Sequence, residues 1–111
     1  MPAYLIARVH VTDWERYRQY TQATPAAIEK FGGHFIVRGG ETITLEGPPE
    51  TGRLVIIEFP SLEQAKAFYH SEEYSRAKQL REGAATGQFV AVDGYLPGGA
   101  IRQADALNGP R

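Results

Sequence analysis

The side chains able to do chemistry in this 111-residue chain sit at intervals of two within β-prone runs. Tyr4, Arg8 and His10 share the parity of one run, His34 and Arg38 that of a second. Glu58 and Asp93 close two others. Alternation of that kind puts them on one face of a sheet. Glu58 is the candidate general base and His10 a second acid–base group, since a neutral imidazole near pH 7 can take or give a proton. Arg38 is the candidate anion clamp, because its planar fork donates two parallel hydrogen bonds to a carboxylate or phenolate. Arg8, Tyr4, Tyr69 and Asp93 complete the candidate substrate-binding set. The bland alternative is an Arg8–Glu58 bridge between neighbouring strands about 4.8 Å apart, which would neutralise the face and do nothing more. For the tyrosines it is core packing, and for Asp93 a turn.

Other chemistries are excluded or disfavoured. There is no cysteine, so disulfides, Cys-ligated zinc, iron–sulfur clusters and thiol nucleophiles are absent. His10 and His34 belong to strands that should not be neighbours, and His70 falls on the helix side, so no metal or cofactor is expected. Ser71 lacks the G-x-S-x-G elbow. The Gly-Gly pairs show neither P-loop nor dinucleotide spacing. Lys+Arg is 12 against 13 for Asp+Glu, a net charge of −1 with no footprint for nucleic acid or an anionic membrane. No membrane span or secretory signal is visible, so a cytoplasmic protein is expected.

The elements that position these groups are legible. Ala3–Val11 alternates as a strand. Thr12-Asp13-Trp14-Glu15 opens a helix, with Thr12 as N-cap and Asp13 as its competitor. Trp14, Tyr17, Thr21, Thr24, Ile28 and Phe31 form its buried stripe, Pro25 kinks it near Gln22, and Gly32-Gly33 ends it. A second strand starts at His34. Gly39-Gly40 bends it and Thr42–Glu46 continues it, with a hairpin as the alternative. Arg53–Phe59 is a central strand. Ser61 and Ser71 each cap a short helical stretch, and Gln88–Gly94 is the last strand. Residues 1–95 thus form a single domain, and 96–111 a Gly- and Pro-rich tail expected to contact a partner protomer.

The order β-α-β-β-α-β predicts an α+β, ferredoxin-like fold: a four-stranded sheet of antiparallel type with both helices on one face. The first and third strands are expected side by side in the centre, running parallel. Leu5, Ala7, Val9, Val11, Phe35, Val37, Val55, Ile57, Phe59, Val90 and Val92 should lie under the helices. The other face carries the polar set together with Ile6, Ile36, Leu54, Ile56, Phe89 and Ala91. That is too much apolar surface to leave wet. A second copy of the sheet related by a two-fold axis is the simplest cover, which predicts a homodimer.

Several stretches resemble the bacterial family known as domain of unknown function 1330, within the dimeric α/β-barrel superfamily. They are Tyr4–Ala7, Thr12-Asp13, Gly32-Gly33, Val37–Gly40, Ile57–Ser61, Ala67–Tyr74 and Val92–Gly94; Phe68 stands where the family often has Trp. The resemblance implies a ferredoxin-like protomer and a dimer with facing sheets, and no particular activity. The wider superfamily includes cofactor-free monooxygenases, muconolactone isomerase-like enzymes and haem-binding proteins. The expected function is therefore a cofactor-free enzyme for a small aromatic or lactone-like acid, acting by proton abstraction, isomerisation or oxygenation. A non-catalytic, homodimeric small-ligand-binding protein is the alternative. Its pocket is expected between helices and sheet mouth, lined by Tyr4, Arg8, His10, Arg38 and Glu58.

Overall fold

The computed structural model describes residues 1–95. Its elements are β1 (Ala3–Val11), α1 (Trp14–Lys30), β2 (His34–Arg38), β3 (Arg53–Phe59), α2 (Leu62–Tyr69), α3 (Glu72–Leu80) and β4 (Ala85–Asp93). The sheet order is β2-β3-β1-β4, the ferredoxin-like arrangement. The expected tail, 96–111, lies outside the described residues.

Polar caps set the helix boundaries. Asp13, not Thr12, caps α1 and accepts from the Arg16 N–H at 3.2 Å. Thr12 turns its hydroxyl to the Ala84 carbonyl instead. Ser61 caps α2 and Ser71 caps α3, each accepting from the amide three residues on at 3.1 Å, so the second helix of the pattern is two short ones. Helix α1 runs unbroken through Pro25 and stops at Gly32, whose φ of +79° favours glycine. Its buried stripe is Tyr17, Tyr20, Thr24, Ala27 and Ile28; Trp14 stays at the surface.

Three expectations about the sheet change. First, β1 and β3 are antiparallel, with Ala3 opposite Phe59 and Val9 opposite Arg53. The return through α1 makes β2 parallel to β1, and the connection into β3 reverses the chain once more. Second, Thr42–Glu46 is not a strand: β2 ends at Arg38, and an exposed loop leads to β3. The irregularity lies earlier, inside β2. Phe35 pairs with Ile57, then Val37 with Ile56 and Arg38 with Val55, so Ile36 is the extra residue. Third, β4 has the opposite parity to the one expected. Val90 pairs with Ile6 and Val92 with Tyr4, while Phe89 pairs with Ala7.

The core under the helices therefore holds Leu5, Ala7, Val9, Val55, Ile57 and Phe59 from the sheet, with Phe89 packed at its edge. Tyr17, Ile28, Phe68 and Tyr74 face them from the helices. Phe68 is the hub, with ring centroids 4.7 Å from Tyr74 and 5.2 Å from Phe59. The opposite face carries no helix. Ile36, Val90 and Val92 are 45–48% exposed there, beside half-buried Ile6, Leu54 and Ile56.

Candidate functional site

The sequence-predicted residues separate into groups on both sides of the sheet. At one end of the open face Glu58 lies between two neighbours. Its Oε1 is 3.1 Å from His34 Nε2, and Tyr4 is its cross-strand partner. A hydrogen bond to the Glu58 carboxylate, reinforced by burial and by the negative charge, raises the Tyr4 phenol above its ordinary pKa.

Arg8 and His10 lie four and six residues further along β1, about 13 and 20 Å from Tyr4 at strand rise. The Arg8–Glu58 bridge does not form. Arg8 Nε donates instead to Glu50 Oε1 at 3.0 Å, from the β2–β3 loop. The Gly52 N–H donates to Glu50 Oε2 at 3.1 Å. That amide and the Arg8 guanidinium, with a smaller contribution from His10, hold the Glu50 carboxyl below its usual range. The loop is thus latched onto β1.

Tyr69 lies on the helix side, its ring 5.2 Å from that of Tyr74, and its hydroxyl accepts from Lys78 Nζ at 3.1 Å. Asp93 pairs with Ala3 at the sheet edge. Among the described residues no group of three His, Asp or Glu is placed to hold a metal ion.

Arg38 is the exception among the predicted residues. The slip in β2 moves it from the open face to the helix side, opposite Val55. Its Nη2 donates to the Thr21 carbonyl at 2.7 Å, and its Cζ stands 4.1 Å from the Phe35 ring centroid. There it meets a narrow cavity of about 30 Å³ between helices and sheet. Tyr17, Tyr20, Tyr74, Phe68 and Phe89 line it, with Arg53 and exposed Arg38 on its β2–β3 side. Of the five residues expected around this pocket, only Arg38 reaches it.

The polar residues of the cavity wall are Tyr17, Tyr20, Tyr74, Thr24, Arg38 and Arg53, and Arg81 packs against Tyr20, Tyr74 and Phe89 of that wall. The Tyr20 and Tyr74 hydroxyls are 2.7 Å apart. Burial pushes the Tyr20 phenol far up, helped by Tyr74. Burial also raises the Tyr17 phenol, partly offset by the Arg53 charge. Arg81 follows α3 and is only 8% exposed. Its Cζ lies 4.7 Å from the Phe89 centroid and 5.4 Å from that of Tyr20, and its Nη2 reaches the Tyr74 hydroxyl at 3.4 Å. The Nε atoms of Arg53 and Arg81 are buried without a hydrogen-bond partner. Among the described residues no ion pair joins Arg38, Arg53 or Arg81 to a carboxylate. Such an apolar, cationic enclosure suits an anion.

Arg53 could have been found from the sequence, since it shares the parity of Val55, Ile57 and Phe59. Arg81 could not: it lies in the turn after α3, where periodicity no longer says which way a side chain points.

A four-stranded sheet in the order β2-β3-β1-β4, covered by helices on one face and bare on the other, defines a ferredoxin-like α+β fold. The chain belongs to the family described as a domain of unknown function, DUF1330, which it matches over residues 2–95. Solved structures share the fold. A protein of unknown function from Rhodopseudomonas palustris aligns with a TM-score of 0.69 at 23% identity, covering 86% of this chain and 84% of that one. SnoaB, a cofactor-independent oxygenase from Streptomyces nogalater, aligns at 0.61 and 10% identity over 86% of this chain and 94% of its own. A dimeric protein of ferredoxin-like fold from Bacteroides fragilis aligns at 0.52 and 15% identity, over 83% and 95%. No curated protein matches the chain in sequence. Among the described residues no helix is long and apolar enough to cross a membrane.

Proposed function

We propose that the protein binds a small aromatic or lactone-like acid in the cavity between helices and sheet. The observation that carries this reading is the pair of guanidiniums, Arg38 and Arg53, on the wall of an apolar, tyrosine-lined cavity, with buried Arg81 stacked on Tyr20 and Phe89 of that wall and no carboxylate paired to any of the three among the described residues. A buried cation without a counter-charge is costly, and an anionic ligand removes that cost. The cavity is about water-sized in this form, so a ring enters by shifting the tyrosine rings or α1. That requirement favours flat, compact ligands.

Catalysis in this cavity suits substrates that need no side-chain base. Burial raises the Tyr17 and Tyr20 phenols, which favours their protonated form, and a guanidinium is a permanent cation in proteins. They would stabilise a substrate enolate or phenolate, and such an anion can rearrange or react directly with O₂. SnoaB, of the same fold, is described as a cofactor-independent oxygenase. Placing the chemistry on the open face, with Glu58 as base and His10 as acid, is the competing assignment.

The open face supports a homodimer with facing sheets. Ile6, Ile36, Leu54, Ile56, Val90 and Val92 line it, and Arg38 has left it for the helix side. Sedimentation and thermal-shift measurements with benzoate and phenolates test both parts. A dimer whose midpoint rises with these anions is expected. A monomer would overturn the assembly, and a midpoint indifferent to every aromatic anion would overturn the ligand assignment.

A further inference from the structure

Resting on the facing-sheet dimer proposed above, we infer that the β2–β3 loop is an arm. Its segment Thr42–Glu46 adds as a strand along the free edge of β4 in a second copy of this chain. Thr42-Ile43-Thr44-Leu45-Glu46 alternates as a strand does, with Ile43 and Leu45 on one side. Ile43 is 75% exposed and Leu45 92%. The ladder between β2 and β3 closes at Gly39, whose N–H donates to the Leu54 carbonyl at 2.8 Å. Among the described residues the backbone from Gly40 to Thr51 makes no hydrogen bond to other backbone. A β-prone run with two bare apolar side chains and no ladder needs a partner that its own protomer does not supply.

The two edges of the sheet are protected unequally. Strand β2 is short, slips at Ile36 and ends in Arg38. Strand β4 runs nine residues in unbroken register with β1, with no Pro and no charge before Asp93. Among the described residues no strand lies on its outer side. A long, regular, uncharged edge is a template for another strand. The arm points towards such an edge in a second copy. Arg8 emerges on the open face, opposite Leu54, and its bond to Glu50 holds the returning leg of the loop on that side. This latch, on β1, also stops the loop short of its own β4. Residues Gly40 to Thr51, folded into two legs, reach about 20 Å, against about 10 Å between facing sheets. A two-fold axis parallel to the strands sets β2 of one copy opposite β4 of the other, at the same height. Arg38, Val55, Ala7 and Phe89 share one row. The arm starts beyond that row, level with Ala85–Gln88, the first half of β4.

The experiment is sedimentation of the full chain, wild type against Leu45→Asp and Ile43→Ser. Both side chains are exposed in the protomer, so circular dichroism should stay native. The dimer dissociation constant should rise about tenfold or more, the worth of an apolar side chain returned to water. Amide exchange supplies the second readout. Residues 42–46 should exchange more slowly in wild type than in Ile56→Asp, which dissociates the facing sheets, and Ala85–Gln88 should slow with them. An unchanged dissociation constant in both arm variants, or no slowing at 42–46, overturns the arm. If Ile56→Asp still dissociates the dimer, the facing sheets survive that result. Loss of the dimer and of β4 protection on removing residues 96–111, with the arm variants unaffected, would give the edge to that segment and overturn the arm as well. A wild-type monomer would remove the dimer and the arm together.

Discussion

The two faces of the sheet handle charge in opposite ways. On the open face the carboxylates have polar partners: Glu58 lies against His34, and Glu50 pairs with Arg8 and accepts from the Gly52 amide. Those groups are partly or largely exposed, and pairs of that kind contribute little to stability. Under the helices the reverse holds. Arg81 is buried against rings, and it and Arg53 each keep an unpartnered Nε. A pair that neutralises itself has no need of a ligand, whereas an unmatched cation in an apolar wall does. The contrast favours placing the proposed ligand under the helices, beside Arg38 and Arg53, over placing it on the open face beside Glu58 and His10.

The largest effect separating the faces should come from Phe68→Ala. It removes a ring at 1% exposure and should cost about 3–5 kcal/mol in denaturant unfolding. Val90→Ala on the open face should cost less than about 1 kcal/mol in a dilute monomer, and more where the protein is associated. Comparable losses at low concentration would mean that the open face is a core in its own right.

Next is Ile56→Asp, which puts a charge among Ile6, Leu54 and Val90. Sedimentation should show loss of the dimer by several kcal/mol of association free energy while circular dichroism stays native. An unchanged dimer would mean that the sheets do not face each other.

Glu58→Gln sharpens the comparison at the level of function. If the chemistry belongs to the cavity, anion affinity and any turnover should stay within about twofold, because a distant paired carboxylate is weakly coupled to it. Abolished turnover with intact binding would return the base to the open face.

Alkaline titration followed by phenolate absorbance should show a subset of the six tyrosines ionising late. Tyr17 and Tyr20 are raised by burial, and Tyr4 by Glu58. Their folded pKa values lie above the unfolded value of 10.0, so their contribution is whole below pH 10.0 and is lost as pH rises through the folded values. Late ionisation should coincide with unfolding. Six phenols titrating together near 10 would mean that the cavity is wet.

The smallest effect is on the acid side. Glu50 is held below 4.5, so its contribution is present above that pH and fades as pH falls through the lowered value. Glu50→Gln should slightly flatten the acid limb of stability and loosen the β2–β3 loop, read by amide exchange at Gly52.

Much of this molecule was determined by local sequence. Alternation marked Ala3–Val11, a β-prone run apolar on both faces marked Arg53–Phe59, Ser61 and Ser71 marked two helix starts, and Gly32 marked a stop. These signals need only neighbours along the chain. The side of the sheet on which each group emerges was decided by tertiary pairing. In β4, Phe89 and Val90 are both apolar, so their pattern cannot say which faces the helices; pairing with Ala7 and Ile6 does. In β2 one unpaired residue, Ile36, reverses the parity of everything after it and carries Arg38 from the open face into the cavity wall. Arg81 shows the same limit at a turn, where no periodicity remains and only packing against Tyr20, Tyr74 and Phe89 directs the side chain inward. Side-chain period is a local property, but register and burial are properties of the assembled sheet, and the cavity is built from the second kind.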